Sequence, residues 1–349
     1  MAVTSPRRVA VVGAGIGGLA LARALGELDT GVEEIVVFDR RAELKPGTGG
    51  GIQINGGAAV LARLGLGEQV KRAALPVRRI LSRKSGGFEL LDIDVASLVS
   101  AEPALVAADG TPQAFSIMRD ALQRMLVDAL PESASLQLGR RLESMSEDAS
   151  GVELVFEDGT AERFDLVVGA DGLSSRVRQH VEASHADADG RAGASPPTYS
   201  GIRVQFGVVP GGGSRPRGSE GEFHQWFGEG VYALTGSYGT GSADGTTSDM
   251  LAVVFADPAA AAGTGRPGGG RAPDENSNWD VSDVREECLR RLERAGLPEE
   301  IESRLLGAME TAGGGAGTLP QLVRDAFFLI NGKLGVAAQV FVKGARPWV

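Results

Sequence analysis

Four glycines near the start of the chain are spaced for binding an anionic group. Gly13, Gly15, Gly17 and Gly18 lie between a short apolar run and a segment with apolar residues at helical spacing. In that setting the first glycine permits a tight turn, the second lets the backbone approach a pyrophosphate, and the third lets helix and strand pack closely. The N-terminus of the helix adds unpaired N–H groups and the positive end of its dipole. The spacing predicts a phosphate-binding turn, with a glycine turn that packs a helix without any ligand as the alternative.

An acidic residue follows the second apolar run of the chain. Asp39 comes directly after residues 35–38, which form a buried-strand pattern, and Arg40 follows it. A carboxylate at this position can accept hydrogen bonds from both hydroxyls of an adenosine ribose, and it repels a 2′-phosphate. Strand, glycine turn, helix, second strand and acidic residue together predict dinucleotide binding. This motif by itself does not distinguish NAD from FAD.

Two segments farther along the chain carry charged residues at places that suit a ligand. Arg119 lies in the first turn of a predicted helix, where a cation opposes the helix dipole, so we expect another group to hold it, such as a phosphate or a flavin carbonyl. A surface arginine paired with Asp120 or Glu143 is the alternative. Asp171 and Gly172 end a buried-strand pattern, and strand ends are where α/β folds bind ligands. Capping of the helix that begins near Ser174 is the alternative for Asp171.

The first half of the chain is patterned as alternating strands and helices. Strand-like runs at 152–156 and 164–168 flank an Asp-Gly pair, which predicts a hairpin with its turn at residues 157–160. The other predicted strands are 8–12 and 35–38, and the predicted helices are 19–28, 58–64 and 119–130.

Beyond about residue 183 the composition changes. Segments rich in Gly, Ala, Ser, Pro and Asp predict mobile connections at 186–197, 210–221, 239–249 and 257–277. Strand-like runs lie between them at 202–209, 222–227, 231–238 and 251–255, and helical patterns follow at 281–295 and 299–309. Their alternation predicts an antiparallel sheet with long hairpin loops.

Composition excludes several classes of protein. Lys and Arg number 35 and Asp and Glu number 45, which gives a formal net charge of −10 and disfavours nucleic acid as a partner. One cysteine, Cys288, excludes a fold held by internal disulfides. No stretch approaches the roughly 20 apolar residues of a membrane span, and the three histidines do not have metal-ligand spacing, so we expect no metal site. We therefore expect a cytoplasmic protein; the sequence does not indicate an oligomeric state.

Four features in this order resemble the single-component, class A FAD-dependent monooxygenases, which have the p-hydroxybenzoate hydroxylase fold. They are the glycine turn with Asp39, the sequence GGGIQI at residues 49–54, Arg119 with Leu122, and DLVVGADGLSSRVR at 165–178. The resemblance is strong over residues 7–180 and weak over the later strands. It implies an α/β fold in which a Rossmann-like FAD-binding domain is interleaved with a smaller antiparallel β-sheet substrate domain. The domains would cover 1–182, with a hairpin insertion near 75–115, then 183–325, and an incomplete return to the FAD-binding domain at 326–349.

The same resemblance implies a function and a set of cofactor-binding residues. FAD would be reduced by NADH or NADPH and would react with O2 to oxygenate a small organic substrate, aromatic or isoprenoid. The chemistry would belong to the cofactor, so we expect no catalytic side chain. The expected cofactor-binding residues are Gly13, Gly15, Gly17, Gly18, Asp39, Arg40, Gly51, Arg119, Asp171 and Gly172.

One departure from the family pattern leaves alternatives open. After the β-sheet domain, relatives carry a strand that ends in Gly-Asp, whereas the strand predicted here at 326–330 is followed by Asn331, Gly332 and Lys333. We therefore expect a truncated, alternatively spliced or frame-shifted product, or a degenerate relative. An FAD-dependent reductase or dehydrogenase, and a catalytically inactive remnant of the fold, are the competing functional hypotheses.

Overall fold

The protein forms two compact units, each built from two separate stretches of the chain. A computed structural model describes residues 5–28, 30–45, 49–184, 202–211, 220–242 and 244–256, and also residues 290, 292, 316 and 317. The first unit comprises Met1–Pro46 and Leu122–Thr198, and the second comprises Gly47–Ala121 and Tyr199–Val349. Residues 47–121 therefore group with the later strands, whereas the sequence-based domain boundaries assigned them to the first domain.

The first unit contains a parallel sheet and a smaller antiparallel one. The parallel sheet has the strand order β12-β1-β2-β8, and the antiparallel sheet has the order β11-β10-β9. With elements numbered in chain order, the strands are β1 (Arg8–Val12), β2 (Glu34–Phe38), β8 (Ala134–Gln137), β9 (Leu142–Asp148), β10 (Gly151–Phe156), β11 (Ala161–Phe164) and β12 (Leu166–Gly169). The helices are α1 (Ile16–Glu27), α5 (Arg119–Asp128, from Leu122 onward in this unit) and α6 (Arg176–Ser184).

Apolar residues of the central strands form the core of this unit. Val9, Ala10 and Val11 of β1 are completely buried, because a parallel strand in the middle of a sheet is covered on both faces. Phe38, at the end of β2, packs against Phe156 and Phe164 with ring centroids 4.7 and 5.7 Å apart. The apolar runs therefore set the position at which β1 and β2 end, and the glycine turn and Asp39 come directly after them.

The run predicted as one strand at 164–168 is two strands. β11 ends at Phe164 and β12 begins at Leu166. Between them, the carboxylate of Asp165 accepts hydrogen bonds from the backbone N–H groups of Arg7 and Arg8, both at 2.8 Å. The chain can therefore leave the antiparallel hairpin and enter the parallel sheet at this residue. The predicted hairpin itself is confirmed, since β10 and β11 pair antiparallel and Gly159 has a φ of +80°.

A ten-stranded, mainly antiparallel sheet dominates the second unit. Its strands are β3 (Gly51–Gln53), β4 (Leu75–Pro76), β5 (Arg79–Lys84), β6 (Glu89–Asp94), β7 (Phe115–Met118), β13 (Ile202–Pro210), β14 (Glu222–Gly228), β15 (Val231–Gly239), β16 (Thr247–Ala256) and β17 (Ala316–Gly317). Its helices are α2 (Asn55–Arg63), α3 (Gly67–Ala73), α4 (Val95–Ser100) and a short 3-10 helix, Pro103–Leu105. The sheet is larger than expected because β5 and β6 extend it: β14 pairs in parallel with β5.

One predicted connection of this unit is shorter than expected. Residue 239 is the last of β15 and residues 247–249 are the first of β16, so only 240–246 connect them. Thr240 and Thr246 hold the base of this loop through backbone and side-chain hydrogen bonds. Residues 239–249 are polar, so the sequence does not show that β15 and β16 extend into this segment. The two strands are extended there by backbone pairing with each other and not by burial of apolar side chains.

Several predictions lie outside the described residues. They are the connections at 186–197 and 257–277, most of the segment 210–221, nearly all of the helices at 281–295 and 299–309, and the strand at 326–330. In the part of the chain that the structure describes, no helix has both the length and the apolar character needed to cross a membrane.

Candidate nucleotide-binding site

Three strand ends of the first unit meet at one edge of its parallel sheet. Gly13 follows β1, Asp39 follows β2, and Ala170 and Asp171 follow β12. β1 lies between β2 and β12 and pairs in parallel with both. Because the carboxyl ends of parallel strands share an edge, the sequence-predicted residues of this unit come together at the place where α/β sheets bind ligands.

The glycines of the turn fall into two groups. At Gly13 the φ is +112°, and an added Cβ would lie 2.4 Å from the carbonyl oxygen of Ala170; at Gly18 it would lie 2.0 Å from that of Gly13. These two glycines are therefore required by the fold itself. At Gly15 and Gly17 an added Cβ would meet nothing within 4 Å, so the space beside the turn is open there.

The N-terminus of α1 presents backbone donors without a side-chain cap. Gly15 is its N-cap residue and provides no capping hydrogen bond, and the first turn contains no acidic residue. The first N–H groups of a helix lack partners within the helix, and they carry the positive end of its dipole. An uncapped helix start with open space at Gly15 and Gly17 is suited to an anion such as a diphosphate.

The carboxylate of Asp39 is buried and already engaged by protein donors. Its Oδ2 accepts from the backbone N–H of Ala14 at 2.8 Å and from Nη2 of Arg41 at 2.9 Å. Its Oδ1 accepts from the backbone N–H and from Nε of Arg41, both at 2.9 Å. Burial by itself raises the pKa of Asp39, but the hydrogen bonds and charge of Arg41, with the amide of Ala14, hold that pKa below its ordinary value.

Arg41 and Gln123 are two contributors that sequence reasoning missed. Arg40, the basic residue selected from the sequence, is exposed, whereas the guanidinium of Arg41 pairs with Asp39. Gln123 of α5 is buried, and its Nε2 donates to the carbonyl of Ala14. The alternation of side chains at a strand end could have indicated Arg41, because residues i and i+2 lie on the same side. No local signal indicates Gln123, whose contact with Ala14 spans more than 100 residues.

Asp171 caps helix α6, which is the alternative to ligand binding that the sequence left open. Its Oδ1 accepts from the hydroxyl of Ser175, and its Oδ2 accepts from the backbone N–H groups of Arg176 at 2.7 Å and Val177 at 3.4 Å. These contacts satisfy donors at the start of α6. The following residue, Gly172, has a φ of +81°, so its backbone conformation favours glycine whether or not a ligand approaches.

The remaining predicted residues, Gly51 and Arg119, belong to the second unit. An added Cβ at Gly51 would lie 2.2 Å from Cδ1 of Tyr238, so the ring of that tyrosine explains the glycine. Arg119 is half-buried, its backbone N–H donates to the carbonyl of Gly50 at 3.1 Å, and its side chain lies against Gly49. Among the described residues of this unit its guanidinium has no hydrogen-bond or ion-pair partner, and the alternative pair with Asp120 is not formed.

Comparison with known proteins identifies the family. A family model described as an FAD binding domain matches residues 7–195, which is more than half of the chain. The chain belongs to the FAD-binding domain family. The match covers the glycine turn, Asp39 and Asp171.

Curated relatives of this FAD-binding domain protein are named as monooxygenases. The 3-amino-4-hydroxybenzoate 2-monooxygenase of Streptomyces cremeus is 36% identical over 205 residues, which are 58% of this chain and 46% of the relative. The FAD-dependent monooxygenase ausM of Penicillium brasilianum is 31% identical over 178 residues, 51% of this chain and 35% of the relative. The chain thus spans less than half the length of these relatives.

Solved structures share the fold. HpxO of Klebsiella pneumoniae, complexed with FAD and uric acid, has a TM-score of 0.66 and 21% identity, over 90% of this chain and 69% of the other. PqsL of P. aeruginosa, in complex with 2-aminobenzoylacetate, has a TM-score of 0.60 and 18% identity, over 89% and 73%. The expected α/β fold, with an FAD-binding domain interleaved with a β-sheet domain, is confirmed.

The described residues fit part of an FAD molecule without any change. The uncapped start of α1 and the open space at Gly15 and Gly17 suit its diphosphate. The acceptor expected for the adenosine ribose, Asp39, is in place at the same edge, but Arg41 occupies it. The turn therefore suits the diphosphate as it stands, whereas both carboxylate oxygens of Asp39 accept hydrogen bonds from Arg41 in this structure.

Proposed function

We propose that the chain forms the cofactor-binding part of an FAD-dependent monooxygenase that uses NADH or NADPH and O2 to oxygenate a small organic substrate. The observation that carries this proposal is the uncapped, open start of α1 beside Asp39, in a chain that matches the FAD-binding domain family over residues 7–195. The names of the relatives support the type of reaction, and aromatic substrates are named among them. We place the protein in the cytoplasm because its single cysteine fits a reducing compartment.

The residues of the first unit would hold the adenosine and diphosphate part of the cofactor. Backbone N–H groups from Gly15 to Gly18 would bind the diphosphate and neutralise part of its charge. Asp39 would accept hydrogen bonds from the ribose, while its contact with Ala14 keeps the turn in its binding conformation. When bound, FAD supplies the electron transfer and the reaction with O2, and the protein supplies position and electrostatics.

Three further residues remain proposals based on the family resemblance. Gly172 follows the strand end that carries Asp171, and it would allow the backbone to approach the cofactor. Gly51 and Arg119 are the other two candidates, and the guanidinium of Arg119 has no hydrogen-bond or ion-pair partner among the described residues of its own unit, which supports a ligand-binding role. We assign no catalytic side chain.

Reconstitution tests the proposal. The purified chain should take up FAD and show flavin absorbance, and NAD(P)H oxidation should accelerate when an aromatic acid such as 3-amino-4-hydroxybenzoate is added. Incorporation of label from 18O2 into the product would establish a monooxygenase. NAD(P)H-dependent turnover without consumption of O2 would instead indicate the reductase or dehydrogenase, and absence of flavin binding would reject the proposal.

A further inference from the structure

The carboxylate that should bind the adenosine ribose has no free acceptor site in this structure. A carboxylate offers about four lone-pair sites, and Asp39 accepts four hydrogen bonds. Two come from backbone N–H groups, those of Ala14 and Arg41. The other two come from Nε and Nη2 of the Arg41 side chain. A ribose hydroxyl can therefore donate to Asp39 only after one of these donors leaves.

The four donors differ in how readily they can leave. The N–H groups of Ala14 and Arg41 belong to the backbone of the glycine turn and of the strand end, which the sheet holds in place. The guanidinium of Arg41 is at the end of a long side chain that is 17% exposed, and a rotation about its side-chain bonds would carry it toward solvent. Its departure would release one acceptor site on Oδ1 and one on Oδ2.

The two released sites match the adjacent hydroxyls of a ribose. We propose that Arg41 is a displaceable clamp on Asp39: it holds the carboxylate in the nucleotide-free protein, and its guanidinium leaves when the 2′- and 3′-hydroxyls of an adenosine ribose bind. This inference rests on the proposed function, because it concerns the same nucleotide site. Cofactor binding would require the loss of a two-point ion pair. The apparent affinity is therefore lower than the intrinsic affinity, because only the small fraction of molecules in which the clamp is open can bind the ribose.

The contacts of Arg41 also satisfy the buried carboxylate of Asp39 and help to fix the glycine turn. A buried carboxylate without a partner destabilises the folded protein. A guanidinium that donates two hydrogen bonds to the carboxylate is a strong partner, because both groups are charged at neutral pH. Arg41 Nη2 in addition approaches the carbonyl of Ala14 at 3.4 Å, and Gln123 donates to the same carbonyl. The second residue of the glycine turn is thus fixed at both its N–H and its carbonyl.

Calorimetric titration with two nucleotides tests the clamp apart from any enzyme activity. The probes are ADP and 2′,3′-dideoxy-ADP, which differ only in the ribose hydroxyls. Removing the guanidinium in Arg41→Met should lower the Kd for ADP about tenfold, because the clamp no longer competes, and should leave the Kd for dideoxy-ADP unchanged. Arg41→Lys, whose ammonium cannot form the two-point contact, should shift the ADP affinity in the same direction by less. Arg63→Met makes the same chemical change at an exposed residue of α2 and should alter neither Kd.

Each outcome distinguishes the clamp from the function on which it rests. A higher Kd for ADP in Arg41→Met would overturn the clamp and make Arg41 a residue that itself holds the nucleotide. Equal affinities of wild type and both Arg41 variants would reject the clamp while FAD binding by the site stands. If Arg41→Met fails to fold, the sign of the change in Arg41→Lys decides. If wild type and variants all fail to bind ADP and FAD, the proposed function is wrong and the clamp is rejected with it.

Discussion

The hydrogen bonds of Asp39 lead to a specific prediction for the stability of the first unit. Replacing Asp39 with Asn keeps the shape of the side chain but removes the charge, so Arg41 loses its ion pair while the N–H of Ala14 keeps an acceptor. The carboxylate is 8% exposed and the Arg41 side chain 17%. Breaking a buried ion pair costs about 3–5 kcal/mol, and we expect about 2 kcal/mol here because Arg41 can turn toward solvent and Asn retains part of the network.

Native-state hydrogen exchange of peptides from β1 and β2 measures this change within the first unit. A loss of 2 kcal/mol corresponds to amide exchange that is about 30-fold faster. The matched control is Asp148→Asn, which removes an exposed carboxylate of the same unit that pairs with Arg163; its effect on the same peptides should be much smaller, because exposed ion pairs contribute little.

The effect should also depend on pH with a defined sign. The pKa of Asp39 in the folded protein lies below its ordinary value, so its contribution to stability is complete above about pH 4, the unfolded pKa. It is lost as the pH falls from there through the lower, folded-state pKa. The difference between wild type and Asp39→Asn should therefore be full at pH 7 and diminished at pH 3. Unchanged protection of β1 and β2 in the variant at pH 7 would refute this reasoning.

Three further predictions separate structural glycines and caps from ligand contacts. Gly13→Ala should destabilise the first unit by about 3 kcal/mol or more, because it combines an unfavourable φ with a contact to the Ala170 carbonyl; an unchanged melting temperature would contradict the packing described. Asp171→Ala should weaken α6 by about 1 kcal/mol, seen as faster hydrogen exchange in that helix, and Asp171→Asn should restore it, because Asn also caps helices; equal exchange in both variants would argue against the cap. Gly51→Ala should lower the melting temperature, and the added change Tyr238→Leu should recover part of the loss because it removes the ring that the new Cβ meets; no recovery would show that the ring is not the cause.

The sequence predicted the parts of the fold that local patterns determine. β1, the glycine turn, α1 and β2 were predictable because buried apolar runs and glycine spacing are both local signals. The break at Asp165 was not, since it depends on two N–H groups more than 150 residues away. The parallel pairing of β14 with β5 was not predicted for the same reason, because the sequence of neither strand indicates which distant strand it pairs with.

The candidate site shows the same division. Gly15 and Asp39 could be selected from their spacing, and the structure places both at one sheet edge. Arg40 is predicted from the resemblance to the family, and its side chain is exposed, whereas the contact of Arg41 with Asp39 depends on the side of the strand end from which a side chain emerges. Helix capping and ligand binding by Asp171 both require a carboxylate before a helix, so the sequence does not distinguish between them. The hydrogen bonds that Asp171 accepts from Ser175 and Arg176 show that it caps the helix.

Equilibrium titration of FAD into the wild-type protein and Gly15→Val tests the central claim most directly. Gly15 has a φ of −75° and a ψ of 176°, which valine can adopt, and an added Cβ meets no protein atom within 4 Å. The account predicts that the wild type binds FAD, and that Gly15→Val melts at the same temperature but binds FAD at least tenfold more weakly, because the new side chain fills the space for the diphosphate. Wild-type protein that does not bind FAD, or a valine variant that binds it equally well, would contradict the account.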